Sequence, residues 1–194
     1  MCGIVGIAGR HDPDLVRRMA DAIVHRGPDG AGFHNCASAG ICVGMRRLAI
    51  IDLVTGDQPL HSADRKVHIV YNGEIYNHRE VRLELEKLGH GFKTSSDTEV
   101  VLESYLAWGG EAWQRLHGMF ALAIIDERGH RPKLILVRDR PGIKPLYLAR
   151  QGNTLLFASE VKALQADAGL GSEVDLNAVR AYLSLRYTPG PGTL

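Results

Sequence analysis

The chain begins Met1-Cys2-Gly3 and runs at once into the apolar stretch Ile4-Val5-Gly6-Ile7-Ala8. A short apolar run of this kind reads as a buried strand, and burial so close to the terminus holds the first residues inside the fold instead of letting them fray. Removal of Met1 is expected because Cys2 is small, and it would leave Cys2 carrying a free α-amine. A thiol near pKa about 8.5 and an α-amine near about 7.7–8.0 titrate as a coupled pair, so one residue would hold both nucleophile and base. The competing reading is an ordinary start codon followed by a buried cysteine, and residues downstream must decide between the two.

With 194 residues, 45% of them hydrophobic, the chain can bury a sizeable core and needs no second domain. A formal net charge of +1, with no basic stripe carrying interleaved aromatics, argues against nucleic acid as a partner. The apolar stretches are strand-sized and no charged segment precedes a long apolar one, so neither signal peptide nor membrane span is expected and the protein reads as cytoplasmic. Cys2, Cys36 and Cys42 are odd in number and form no close pair, which argues against a disulfide framework and a structural zinc site. Cys36 and Cys42 read as small buried hydrophobes. The nine histidines are scattered, with no H-E-x-x-H, so no metal is expected.

Asp12-Pro13 predicts a helix start with Leu15, Met19, Ala22 and Ile23 at helical spacing, stopping at His25-Arg26-Gly27-Pro28. Gly27 to Gly32 reads as loop and Gly40 to Leu53 as one or two strands, interrupted by Arg46-Arg47. Val67–Tyr71 reads as a short strand ending on a tight Asn72-Gly73 turn. Asn77 with Glu80, and Ser96 with Glu99, predict two helices opened by capping boxes, each packing one face on a sheet. Four short strands follow at Ala121–Ile125, Leu134–Val137, Leu146–Ala149 and Leu155–Ala158, suggesting antiparallel meanders. Ser159–Gln165 reads as a short helix and Asp175 as the cap of another over Leu176–Leu185. The total is an α+β fold with two layers of sheet and helices outside them.

Six separated stretches then agree with one another. Met1-Cys2-Gly3-Ile4, His25-Arg26-Gly27-Pro28-Asp29-Gly30, Arg47-Leu48-Ala49-Ile50, Asn72-Gly73-Glu74-Ile75-Tyr76-Asn77, Ser96-Asp97-Thr98-Glu99 and Arg138 through Tyr147, in this order, resemble class II glutamine amidotransferases. Gly142-Ile143-Lys144-Pro145-Leu146-Tyr147 with Phe157-Ala158-Ser159-Glu160 is most like the glutaminase domain of asparagine synthetases. The resemblance implies a four-layer αββα sandwich of the N-terminal nucleophile hydrolase type. It also implies that Cys2 attacks the side-chain amide of glutamine, giving ammonia and a thioester that water releases as glutamate.

The residue types fit that chemistry. The Asn72 amide and the Gly73 N–H can donate to the tetrahedral oxyanion; their competing reading is a plain hairpin turn. Arg47, set among apolar residues, can bind the α-carboxylate bidentately, whereas Arg46 suits a snorkelling surface role. Asp97, assisted by Glu74, can take the α-ammonium, although helix capping competes for Asp97. The backbone groups of Leu48 and Ile50 complete the pocket by resemblance. Arg26 is a candidate to organise the site through Asp29 or a backbone carbonyl, and Arg138, Asp139 and Lys144 read as ties between strands.

Neither a Ser-Gly-Gly-x-Asp-Ser loop nor G-x-x-x-x-G-K-[ST] is present, so no cofactor is expected on this chain, and ATP and Mg belong by resemblance to an absent synthetase domain. Residues 1–185 then form the glutaminase domain and 186–194, rich in Pro and Gly, a linker towards that domain. The expected partners are glutamine and a synthetase domain or subunit that receives ammonia, with a homodimer left open. Three alternatives stand beside this reading. One is an idle binding or assembly domain of the same fold. Another is a glutaminase serving a different amide acceptor. The third is a hydrolase of other amides, for which an Arg47–Asp97 amino-acid clamp would be of little use.

Overall fold

The structure, a computed structural model, describes residues 1–49, 56–171 and 173–190. In chain order its strands are β1 (Gly3–Ala8), β2 (Gly30–Cys36), β3 (Ile41–Arg47), β4 (Leu60–His61) and β5 (Val67–Ile75). They continue as β6 (Gly118–Asp126), β7 (Lys133–Arg138), β8 (Tyr147–Gln151) and β9 (Thr154–Ala158). The helices are α1 (Pro13–Ala22), α2 (His78–Lys87), α3 (Asp97–Trp108), α4 (Ala112–Arg115), α5 (Val161–Leu164) and α6 (Leu176–Leu185). No helix among the described residues is long and apolar enough to cross a membrane.

The opening apolar run is the centre of a five-stranded sheet ordered β2-β3-β1-β9-β8, and a second sheet runs β4-β5-β6-β7. All strand pairs are antiparallel. Side-chain alternation divides each sheet between two cores. From β1, Val5 and Ile7 pack with Leu15, Val16 and Met19 of α1 and with Leu164 of α5. Ile4 turns the other way, to meet Val43, Met45, Val70, Ala121, Ala123 and Phe157 between the sheets. Tyr71, Leu122 and Ile124 face Val81 and Leu85 of α2 and Val100 and Val101 of α3. The layers are therefore helix, sheet, sheet, helix: the four-layer αββα sandwich.

Most expected elements are present, and the main differences come from contacts with residues distant in sequence. Asp12 Oδ1 accepts from Leu15 N at 2.9 Å and Asp175 Oδ1 from Asn177 N at 2.8 Å, so both caps form as read. Asn77 does not cap: its side chain bridges to Arg115 O and His117 N, each at 2.9 Å. Ser96 caps α3 through Thr98 N, whereas Glu99 takes the Lys93 and Thr94 amides in place of a reciprocal box. The expected Gly27–Gly32 loop gives way to β2 at Gly30, because Gly32 lies where a Cβ would sit 1.8 Å from Gln58 O; its glycine serves a close crossing. Asn72-Gly73 is not a turn. β5 continues through it, pairing Asn72 with Ala121 and Gly73 with Phe120, and a Cβ at Gly73 would lie 2.5 Å from Met119 O. The last four strands pair antiparallel as expected and form two hairpins, one in each sheet. Asp139 anchors the crossing between them by accepting from Phe120 N, Ile143 N and Lys144 N. The end of the expected Gly40–Leu53 strands and residues 191–194 of the expected linker fall outside the described residues.

Along one side, imidazoles join the two sheets. His34 of β2 stacks on His68 of β5 with ring centroids 3.6 Å apart, and His61 of β4 lies 2.6 Å from His68, Nδ1 to Nδ1. Burial first, then the His34 and His61 rings and the Arg65 charge, push His68 down to about 4 against the pull of Glu127. A histidine so depressed when folded, but titrating near about 6.5 when unfolded, takes up its proton first in the unfolded chain. Stability from this group is therefore present above about pH 6.5 and falls by up to about 3 kcal/mol as the pH drops towards 4. Urea unfolding across this range, with chelator present, is expected to show that slope and His68→Gln to flatten it; an unchanged slope would remove His68 as its source.

Candidate active site

Cys2 is held from three directions. Ile4 N donates to Ser159 Oγ and Ser159 N to Ile4 O, both at 2.9 Å, which fastens β1 just behind it. Arg26 Nε donates to Cys2 O at 2.9 Å, and Arg26 Nη1 pairs with Glu160 Oε1 at 3.0 Å. A Cβ at Gly3 would lie 2.6 Å from Ile23 Cδ1 and 3.1 Å from Arg26 Cδ, so glycine there leaves room for this arrangement. The sulfur itself lies against Leu48, whose N–H donates to Sγ at 3.4 Å while the thiol donates to Leu48 O at 3.6 Å. Lys144, buried, reaches Met1 Sδ at 3.3 Å.

Arg47 ends a row on β3, Ile41-Val43-Met45-Arg47, that faces the other sheet. Apolar for three steps and cationic at the last, it places a buried guanidinium at the rim of the inter-sheet core. Its Nη1 meets Asp57 Oδ1 at 2.8 Å, and that carboxylate lies mostly in solvent. Arg46 points to the opposite face, onto Asp21 and Ala20 O of α1, in the peripheral role expected of it.

The second sheet contributes a matching row on β5, His68-Val70-Asn72-Glu74. Asn72 is 2% exposed, and its Nδ2 has no hydrogen-bond partner among the described residues. A buried amide donor without an acceptor is uncommon and costs about 1–3 kcal/mol, so it is kept where something else needs it. Gly73 is half-buried and Glu74 exposed. Asp97, 4% exposed, opens α3 and accepts at Oδ2 from Tyr71 Oη at 2.8 Å and Ile75 N at 2.9 Å. Burial, then Asp97, then the charges of Glu74 and Cys2 push the Tyr71 hydroxyl well up. One buried phenol thus senses Cys2 from the first sheet, Glu74 from the second and Asp97 from a helix.

Cys2 thus contacts Leu48, and Tyr71 couples Cys2, Glu74 and Asp97; Asn72 and Gly73 follow Tyr71 on β5, and Arg47 ends β3 of the other sheet, while Ile50 lies outside the described residues. Leu48 differs from expectation in detail, since its backbone is engaged with the Cys2 sulfur. Of the two anchors expected for Arg26, the backbone carbonyl is the one used, and it is that of Cys2 itself. Asp29 instead accepts from Ala49 N at 2.9 Å and donates its own N–H to Arg47 O at 3.1 Å, tying the loop to the Arg47 segment. Sequence reading missed Ser159, Glu160, Asp57 and Gln58, the last accepting from Tyr71 N at 2.6 Å. Ser159-Glu160 directly after an apolar strand was the available signal; Asp57 and Gln58 carry none.

A cysteine just ahead of the central strand of one of two stacked antiparallel sheets, with helices on both outer faces, is the layout of an amidotransferase of the N-terminal nucleophile hydrolase fold. The structure of glutamine phosphoribosylpyrophosphate amidotransferase from B. subtilis, complexed with ADP and GMP, superposes with a TM-score of 0.71 at 25% identity, over 85% of this chain and 43% of that one. The chain belongs to the glutamine amidotransferase domain family, whose sequence model matches residues 1–194. It is 42% identical over 201 residues to asparagine synthetase [glutamine-hydrolyzing] 1 of Bacillus subtilis (strain 168), covering all of this chain and 31% of that protein. A putative asparagine synthetase [glutamine-hydrolyzing] of Mycobacterium tuberculosis is 40% identical over 217 residues, covering 100% and 33%. The chain spans about a third of the length of these curated relatives.

Arg26 is the tie most open to test. Arg26→Met would release the Cys2 carbonyl and leave Glu160 with His25 and Lys162 only. It is expected to lower stability by about 1–3 kcal/mol in urea unfolding, and a loss below about 0.5 kcal/mol would show that the contact does not hold the terminus.

Proposed function

We propose that this chain is the glutaminase half of a glutamine-dependent amidotransferase most like asparagine synthetase. The observation that carries this reading is the orphaned, buried Asn72 Nδ2 on β5, next in sequence to Tyr71, whose hydroxyl is pushed up in part by the Cys2 charge. Cys2 Sγ attacks the glutamine side-chain carbon. Asn72 Nδ2 and the Gly73 N–H take the developing oxyanion, and collapse of the tetrahedral adduct expels ammonia to leave a thioester. Water attack repeats the oxyanion and releases glutamate. Once Met1 is removed, the Cys2 α-amine accepts the thiol proton and returns it to the leaving nitrogen.

Arg47 binds the substrate α-carboxylate, which takes the place that the exposed Asp57 carboxylate holds here. Asp97 and Glu74 take the α-ammonium, with Leu48 and Ile50 supplying backbone contacts. The chain matches about a third of its relatives, so ammonia passes to a synthetase region that supplies ATP and Mg chemistry; residues 186–194 lead towards it.

Intact-mass measurement with a diazo-ketone glutamine analogue is expected to show Met1 lost and one adduct on Cys2, blocked by glutamine. A processed, unmodified Cys2 would favour the idle assembly domain. In steady-state glutaminase assays, Asn72→Ala is expected to lower kcat about 10²–10³-fold, and a loss within about threefold would sink its oxyanion role. Arg47→Lys should raise KM for glutamine about 10–100-fold with little change in kcat, because the bidentate carboxylate contact serves binding. A larger effect on kcat than on KM would instead assign Arg47 to the chemistry.

A further inference from the structure

The histidine cluster has no part in glutamine chemistry. His34, His61 and His68 each present one ring nitrogen, all within 4.8 Å of one another, and they are the one group of three or more potential metal ligands among the described residues. They come from three strands and both sheets. Glu127 Oε1 meets His34 Nε2 at 3.0 Å and His68 Nε2 at 3.3 Å.

We propose that His34, His61 and His68 bind a divalent first-row cation of the zinc type, with Glu127 as the carboxylate that orients the imidazoles and offsets the charge. His61 Nδ1 and His68 Nδ1 face one another at 2.6 Å, so only one of them carries a proton, and replacing that proton by a cation keeps both lone pairs satisfied. His68 Nε2–H on Glu127 leaves Nδ1 as the ligand atom, the carboxylate–histidine–metal arrangement that fixes tautomer and ring orientation. Tetrahedral ligation at about 2.0–2.1 Å needs donor atoms a little over 3 Å apart, so the His61 and His68 Nδ1 atoms, 2.6 Å apart, separate slightly while spacings towards the 4.8 Å limit contract. Imidazole nitrogens suit zinc, nickel and copper better than the hard cations magnesium and calcium.

The site has a structural consequence. It clamps edge strand β2 of one sheet to β4 and β5 of the other. His61 lies just beyond Asp57 and Gln58, which touch Arg47 and Tyr71. His68 stands four residues before Asn72 on the same face of β5, about 13 Å along the strand, too far to join the reaction and close enough to fix the strand that does.

The test uses the purified chain, stripped with chelator and titrated with zinc, with cobalt as an optical probe. Elemental analysis is expected to give one zinc per chain, cobalt to give visible ligand-field absorption, and saturating zinc at about 100 times Kd to raise the unfolding midpoint by roughly 5–10 °C. His61→Gln, on a two-residue edge strand, and His34→Gln should keep the fold by circular dichroism yet lose the cobalt band and the zinc-induced shift. Glu127→Gln should weaken zinc binding about 10–100-fold. Failure of the native chain to retain zinc, or equal binding by both histidine variants, would overturn the proposal. Neither result would bear on the glutaminase reading, which Cys2 labelling tests separately.

Discussion

Everything at the site depends on burying the first strand at the middle of a sheet. Ile4, Val5 and Ile7 are fully buried, each worth about 1.5–3 kcal/mol of burial, so a segment that would ordinarily fray is held from both faces. The ties that aim Cys2 come from far along the chain: Arg26 on the turn after α1, Leu48 after β3, Ser159 after β9. A residue that precedes the first strand has little covalent restraint of its own. Its orientation therefore has to be supplied by neighbours, and three separate elements supply it.

Alternation then converts one packing surface into several kinds of chemistry. On β5 the inter-sheet face reads His68, Val70, Asn72, Glu74, and on β3 it reads Ile41, Val43, Met45, Arg47. The middle positions fill the core, and the ends carry polar groups where the sandwich opens. A strand face buried at its centre and polar at its rim needs only a two-residue period to set where the core stops and the site begins.

Much of this was legible in residue order because it is local. The Asp12 and Asp175 caps and the apolar runs are each carried by a few adjacent residues, whereas Cys2, Arg47, Asn72 and Asp97 were singled out by resemblance across separated stretches. The errors share one physical origin. Gly32 and Gly73 look like turn glycines, yet each is glycine because another backbone passes within van der Waals contact, a demand set by a segment distant in sequence. Asn77 likewise looks like a cap but spends its amide on the Arg115–His117 segment. The histidine cluster was invisible for the same reason: spacing rules find ligands along one helix or loop, whereas these three meet only after two sheets stack.

The division of the site between two sheets also explains the packing at its floor. Cys2 immediately precedes β1 and Arg47 ends β3 of one sheet, while Asn72 and Glu74 lie on β5 of the other, so the relative placement of these side chains follows from how the two sheets stack. The layer between them is built to close tolerances. The Phe157 ring lies across Gly6, where a Cβ would sit 2.3 Å from ring carbon, while Ala121 and Ala123 oppose Asn72 and Val70 with the smallest side chains that still fill space. Large on one sheet and small on the other lets the two faces interdigitate in one register. An added methylene anywhere in this floor would be felt as a displacement of Asn72 relative to Cys2, because close-packed layers transmit volume change as movement instead of absorbing it. The chemistry of the rim is thus a consequence of the apolar core beneath it.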